Sequence, residues 1–120
     1  MDGAQIREIT SEGLTYVDDE GKLQFIDFKA CHQNHLAWVM KPENLQEIKE
    51  INHMSDKDLE EHIEFEKNWK EIGARYYAAK LPCIAFYTDP PIRFEFADMN
   101  EFYRVEGLIR KSRWHTVDMA

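Results

Sequence analysis

Residues 55–80 read Ser55-Asp-Lys-Asp-Leu-Glu-Glu-His-Ile-Glu-Phe-Glu-Lys-Asn-Trp-Lys-Glu-Ile-Gly-Ala-Arg-Tyr-Tyr-Ala-Ala-Lys80. Taken at a period of 3.6, this run predicts one long helix with the stripe His62, Phe65, Trp69, Ile72, Tyr76 and Ala79, flanked by Leu59 and Ile63. Ser55 followed three residues later by Asp58 resembles a capping box, with Asp where Glu is usual. Asp56, Asp58, Glu60 and Glu61 suit the positive end of the helix dipole, and Lys80 the negative end. A helix of this length between strands on either side makes the chain α+β rather than all-α or all-β.

Upstream, residues 14–18 and 23–27 alternate as strands, and Gly21 near the end of the turn between them supplies the positive φ of a hairpin loop. An earlier short strand fits Gln5 to Ile9. Residues 28–40 admit two readings. Asp27 caps a helix over Phe28–Val39 with Phe28, Cys31, His35 and Trp38 or Val39 on one face; otherwise two strands flank a turn at His32-Gln33-Asn34. Helix is preferred, because Lys29, Ala30 and Gln33 suit helices and no glycine marks the turn. Pro42 fits the first turn of a short helix reaching Asn52, with Leu45, Ile48 and Ile51 inward.

Downstream, Cys83-Ile-Ala-Phe-Tyr-Thr88 is apolar on both faces, as a central strand is. Asp89-Pro90-Pro91 forces a turn, and residues 92–97 alternate with Ile92, Phe94 and Phe96 inward. Asp98 caps a last helix whose inner stripe is Phe102, Val105, Leu108 and Ile109. Gly107 costs that helix about 1 kcal/mol against alanine, a cost explained if a neighbour packs close. A short strand, Trp114 to Met119, returns to the sheet edge. The expected fold is therefore α+β, order (β)ββ-α-α-α-ββ-α-β. It is a mainly antiparallel sheet of four to six strands with helices on one face, in a single globular domain over residues 1–120.

Composition narrows the function. Hydrophobic residues make up 43% of the 120, enough for a core. The net charge of −8 disfavours nucleic-acid binding by bulk charge, and no apolar run approaches the ~20 residues of a membrane span. Cys31 and Cys83 are too few for a disulfide framework, and without an export signal they read as reduced thiols in a cytoplasm. The chain has the size and composition of a small bacterial or phage accessory protein.

The charge is local. Between Glu43 and Glu66, nine acids face only Lys49 and Lys57, a net −7. Such a face keeps a protein soluble, and it also steers a basic partner. Catalytic motifs are missing: there is no phosphate loop, no G-x-S-x-G elbow and no paired C-x-x-C. The first expectation is thus a non-catalytic interaction or regulatory domain using the acidic helical surface at 43–66, a monomer or homodimer without a cofactor. Its partner-binding candidates are Glu60, Glu61, Glu64, Tyr77, Tyr87, Asp89 and Arg93. Trp69 and Tyr76 are assigned to the core. The alternative is a small metal-dependent or thiol enzyme using Cys31, His32, His35 and His62. Cys31 and His35 share a helix face four residues apart, and His53, Glu66 or Cys83 are further ligand candidates. Cys83 with His115 is a second conceivable thiol pair, although Cys83 reads as core.

Overall fold

A computed structural model describes residues 1–75 and 82–117. Strands β1 (Ile6–Ile9), β2 (Gly13–Val17) and β3 (Leu23–Asp27) come first, followed by helices α1 (Phe28–Val39), α2 (Pro42–Ile51) and α3 (Asp56–Asn68). Then come β4 (Glu71–Arg75), β5 (Cys83–Phe86), β6 (Ile92–Glu95), α4 (Met99–Lys111) and β7 (His115–Val117). The fold is α+β. The described strands make two sheets, β1-β2-β3 and β6-β5-β4-β7, rather than one sheet of four to six strands. All pairs are antiparallel except β4 with β7.

Local chemistry explains most elements. Gly21 takes φ +83° in the β2–β3 turn, as a hairpin loop requires. The Asp27 carboxylate accepts from Lys29 N–H, so residues 28–39 are helix. Pro42 opens α2, and a Schellman closure ends it: Met54 N–H donates to Lys49 O and His53 N–H to Glu50 O, with His53 at φ 52°. Ser55 and Asp58 form the complete capping box of α3. Asp98 caps α4 through Glu101 N–H. The turn after β5 contains a cis Asp89–Pro90 peptide.

The long helix predicted over 55–80 is corrected. Helix α3 stops at Asn68, Trp69 is already extended, and residues 71–75 form β4. The 3.6-residue stripe continues past that point, but Gly73 weakens a helix there and the sheet needs a strand. Strand β4 pairs with β5 through Ala74↔Ile84 and Arg75↔Cys83, and with β7 through Glu71↔His115 to Gly73↔Val117. Ile72 is thereby fully buried. The parts of the predicted helix at Tyr76 and Ala79, and the end of the last strand beyond Val117, lie outside the described residues.

One core joins both sheets, α1 and α4. Leu14, Tyr16 and Ile26 of the first sheet meet Phe86 and Phe94 of the second, with Phe28 from α1 and Phe102, Val105 and Ile109 from α4. The Tyr16 and Phe94 rings meet edge to face at 5.2 Å. Between the sheets, Met1 O accepts from Glu95 N–H and the Trp114 indole donates to Ser11 O. Four inward assignments fail among the described residues, Phe65 and Trp69 of the predicted helical stripe being two of them. Ile51 is 67% exposed, and Leu108 lies at the margin while Phe102, Val105 and Ile109 are buried. Gly107 has no close neighbour either: a Cβ built on it meets nothing within 4 Å.

Candidate functional site

Helices α2 and α3 differ from the other two. Neither contains a buried residue, whereas α1 buries five and α4 buries four. The apolar residues Leu45, Ile48, Leu59 and Ile63 are half-buried, and none belongs to the core or packs against it. The attachment of this α2–α3 hairpin is thin, and the molecule measures 48 × 30 × 25 Å. Its radius of gyration is 15.6 Å, against about 13.6 Å for a compact chain of this length.

All the acids of this hairpin except the half-buried Glu66 point to solvent. Glu43, Glu47, Glu60 and Glu61 are exposed and form no ion pair with a described residue. Lys49 holds Asp56, and Lys67 stands 3.7 Å from Glu64 across an exposed pair of little energetic weight. Beside the acids lie exposed apolar groups. Phe65 is 54% exposed and stacks on Trp69 at 5.3 Å, and Trp69 stacks in turn on His115 at 3.9 Å. Trp69 is therefore a surface group that bridges α3 to β7, not a core residue.

The turn candidates form a second feature. Tyr87, Asp89 and Pro91 line an open groove of about 630 Å³ together with Asn34, Trp38 and Lys41. The Asn34 amide donates to Tyr87 O at 2.7 Å, and Trp38 is 53% exposed there. Arg93 projects outward near Glu95. Tyr77 lies outside the described residues.

A third feature gathers three of the four residues of the alternative reading. Helix α1 turns His32 and His35 inward with Phe28 and Cys31, at the i, i+3, i+4 and i+7 spacing. Helix α3 brings His62 and Glu66, one turn apart, with His62 Nε2 at 3.7 Å from Glu66 Oε1. Strand β4 adds Glu71, whose Oε1 lies 4.0 Å from His35 Nε2. The Trp69 indole donates to the other Glu71 oxygen at 3.0 Å. His32 Nε2 sits 3.2 Å from Lys67 O, and since a carbonyl can only accept, this nitrogen carries the proton. In that tautomer the lone pair of His32 lies on Nδ1, which is buried without a hydrogen-bond partner, as are His35 Nδ1 and Glu66 Oε2.

Electrostatics follow from this crowding. Burial lowers the pKa of His35; Glu66 opposes that shift and His32 adds to it. Burial and then the Glu66 charge raise the pKa of Glu71, against the Trp69 hydrogen bond. His35 is consequently neutral at pH 7, with one nitrogen lone pair. As placed, no three His, Cys, Asp or Glu side chains among the described residues stand close enough together to hold a metal ion.

The thiols do not join this group. Cys31 is in the core, and burial, with Asp27 adding to it, pushes its pKa up to about 11. Cys83 is buried, and it pairs with Arg75 while His115 pairs with Glu71. The two are therefore separated by four residues along β4 and by two strand spacings. Glu71 was missed by sequence reading because a helical assignment turned it away from α1. Only its place on a strand beside His35 makes it a neighbour. Comparison with family models, with curated proteins and with solved structures finds no match. No described helix is long and apolar enough to cross a membrane.

Proposed function

We propose that the chain is a non-catalytic interaction domain whose α2–α3 hairpin docks a basic protein. The observation that carries this is the absence of any buried residue in two amphipathic helices that together hold a net −7 between Glu43 and Glu66. A helix normally buries its apolar stripe, and these two leave theirs half-covered beside Phe65, Trp69 and Ile51. Aromatic and aliphatic anchors supply affinity when desolvated, and surrounding carboxylates supply orientation and on-rate. Glu60, Glu61 and Glu64 form the acidic part of this surface. Tyr87, Asp89 and Arg93 line or flank the separate groove at the β5–β6 turn, a second contact region for the same partner.

The test is affinity capture with the whole chain against the variant E60K/E61K/E64K, at low salt and at about 0.15 M, where charges are screened beyond about 8 Å. The partner should be basic, its recovery should fall with salt, and the triple variant should lose it. Equal recovery by both chains would sink the reading. A light-scattering mass of a dimer that the triple substitution converts to a monomer would assign the surface to a second copy instead. The enzyme alternative through Cys31 gains no support, since its thiol is enclosed and protonated.

A further inference from the structure

We propose that β3 is a homodimerisation edge: two copies of this chain join their three-stranded sheets by antiparallel pairing of β3 with β3, about a twofold axis at Gln24. The edge lies outside the α2–α3 hairpin, so this inference is independent of partner docking there.

The hydrogen-bond alternation of the β2–β3 hairpin decides which backbone groups face outward. Asp18 N–H donates to Lys22 O at one end and Phe28 N–H to Glu12 O at the other. In that phase Gln24 and Ile26 exchange bonds with Tyr16 and Leu14, their register partners on β2. The N–H and C=O groups of Leu23 and Phe25 therefore point away from β2, to an edge beyond which no described strand lies. Setting Leu23 of each copy against Phe25 of the other joins all of these groups, with no donor or acceptor left over. The strand is thus complementary to itself, which is what a twofold contact requires. The next register, Phe25 on Phe25, sets Leu23 against Asp27, whose carboxylate already caps α1.

The side chains agree with the backbone. Leu23 is 70% exposed and Phe25 56%, both on the outer face of the sheet. A Cβ built on Gly13 would stand 2.5 Å from Phe25 Cζ, so that glycine lets the ring lie across β2. In the pairing above, each Leu23 meets a Phe25 across the strands and both gain cover. The same register brings Asp19 and Glu20, in the turn of one copy, beside Lys29 of the other; all three are exposed, and the charges attract. Other sheet edges are guarded. Strand β1 has a register irregularity between Ile6 and Glu8 and exposes Arg7 and Glu8. Strand β6 is covered by the N-terminus: the Met1 amino group donates to Arg93 O, and Met1 O accepts from Glu95 N–H. Strand β3 has neither bulge nor proline, and it presents leucine and phenylalanine where edges usually carry charge.

The experiment is analytical ultracentrifugation of the full untagged chain over a concentration series reaching about 500 μM. The expected result is a mass rising from one chain to two, with a Kd on the order of 10 μM, as a small interface allows. Leu23→Lys and Phe25→Lys should each weaken the dimer at least about tenfold. E60K/E61K/E64K should leave it unchanged, so this proposal and hairpin docking fail separately. Gln24→Cys should cross-link two chains on mild oxidation, because the axis sets the two Cα atoms about 4.5 Å apart, within disulfide reach. Glu8→Cys, on the opposite edge of the same sheet, should not. Circular dichroism of each variant separates lost pairing from lost folding, and L23K, at a residue mostly in solvent, decides the matter if F25K misfolds. A single-chain mass at about 500 μM would overturn the proposal and leave the edge to another protein's strand. So would a dimer as tight in L23K as in the wild type, a dimer lost in the triple variant, or cross-linking of E8C as ready as that of Q24C.

Discussion

The body of the molecule and its α2–α3 hairpin are built from similar material with opposite results. In the body, Phe28, Phe86, Phe94 and Phe102 are almost completely enclosed. In the hairpin and just beyond it, Ile51, Phe65 and Trp69 remain accessible, although the helical period marks each as an inward residue. The difference lies in what stands opposite. Helices α1 and α4 face sheets that bring their own apolar faces, whereas α2 and α3 add no residue to the core. An amphipathic pattern states which side of a helix seeks cover; it does not supply the cover.

This contrast is open to direct attack by mutation. The largest effect should come from Phe94→Ala, which should cost ~3–5 kcal/mol in urea unfolding, as for other enclosed aromatics, while Phe65→Ala should cost less than about 1 kcal/mol. Equal losses would mean the hairpin is a true part of the core. The acid response comes next. The folded-state pKa of His35 lies below its ordinary 6.5, so the folded chain binds fewer protons than the unfolded one. Its contribution to stability is complete above pH 6.5 and declines as pH falls from there toward the folded value. His35→Gln should flatten that part of the pH–stability curve. The raised pKa of Glu71 works the other way, favouring the folded state below its ordinary 4.5 and losing that advantage as pH rises through the folded value. Glu71→Gln should therefore raise stability at neutral pH.

A smaller gain is expected from Gly107→Ala, about 1 kcal/mol by thermal denaturation, since the added methyl meets open space. A loss would reveal a neighbour on that face of α4. The smallest effect should be that of E60K/E61K/E64K, within about 0.5 kcal/mol by the same method, because exposed hairpin charges carry little stability. A loss of several kcal/mol would mean those carboxylates hold the hairpin in place.

Much of the architecture was legible from the chain. The Gly21 hairpin, the Asp27, Ser55 and Asp98 caps, Pro42 and the alternation of residues 92–97 are signals within a few residues, and each appears where expected. The boundary at Asn68 was not legible, because residues 69–75 keep a helical period while their backbone pairs with strands far along the chain. The charge of the hairpin was equally readable. The histidine–carboxylate cluster was readable only in part: His32, His35, His62 and Glu66 stood out by residue type, but Glu71 did not, and Cys31 misled because sharing a helix face with His35 also placed it in the core.

By itself, the sequence determined the elements whose signals are short-range, together with the acidity of residues 43–66, because capping, turn chemistry and charge need no distant partner. The tertiary structure alone decided that residues 71–75 are a strand, that Phe65 and Trp69 stay outside, and that Glu71 meets His35. Each of those depends on which distant surface arrives opposite, and burial is a property of the pair rather than of either residue.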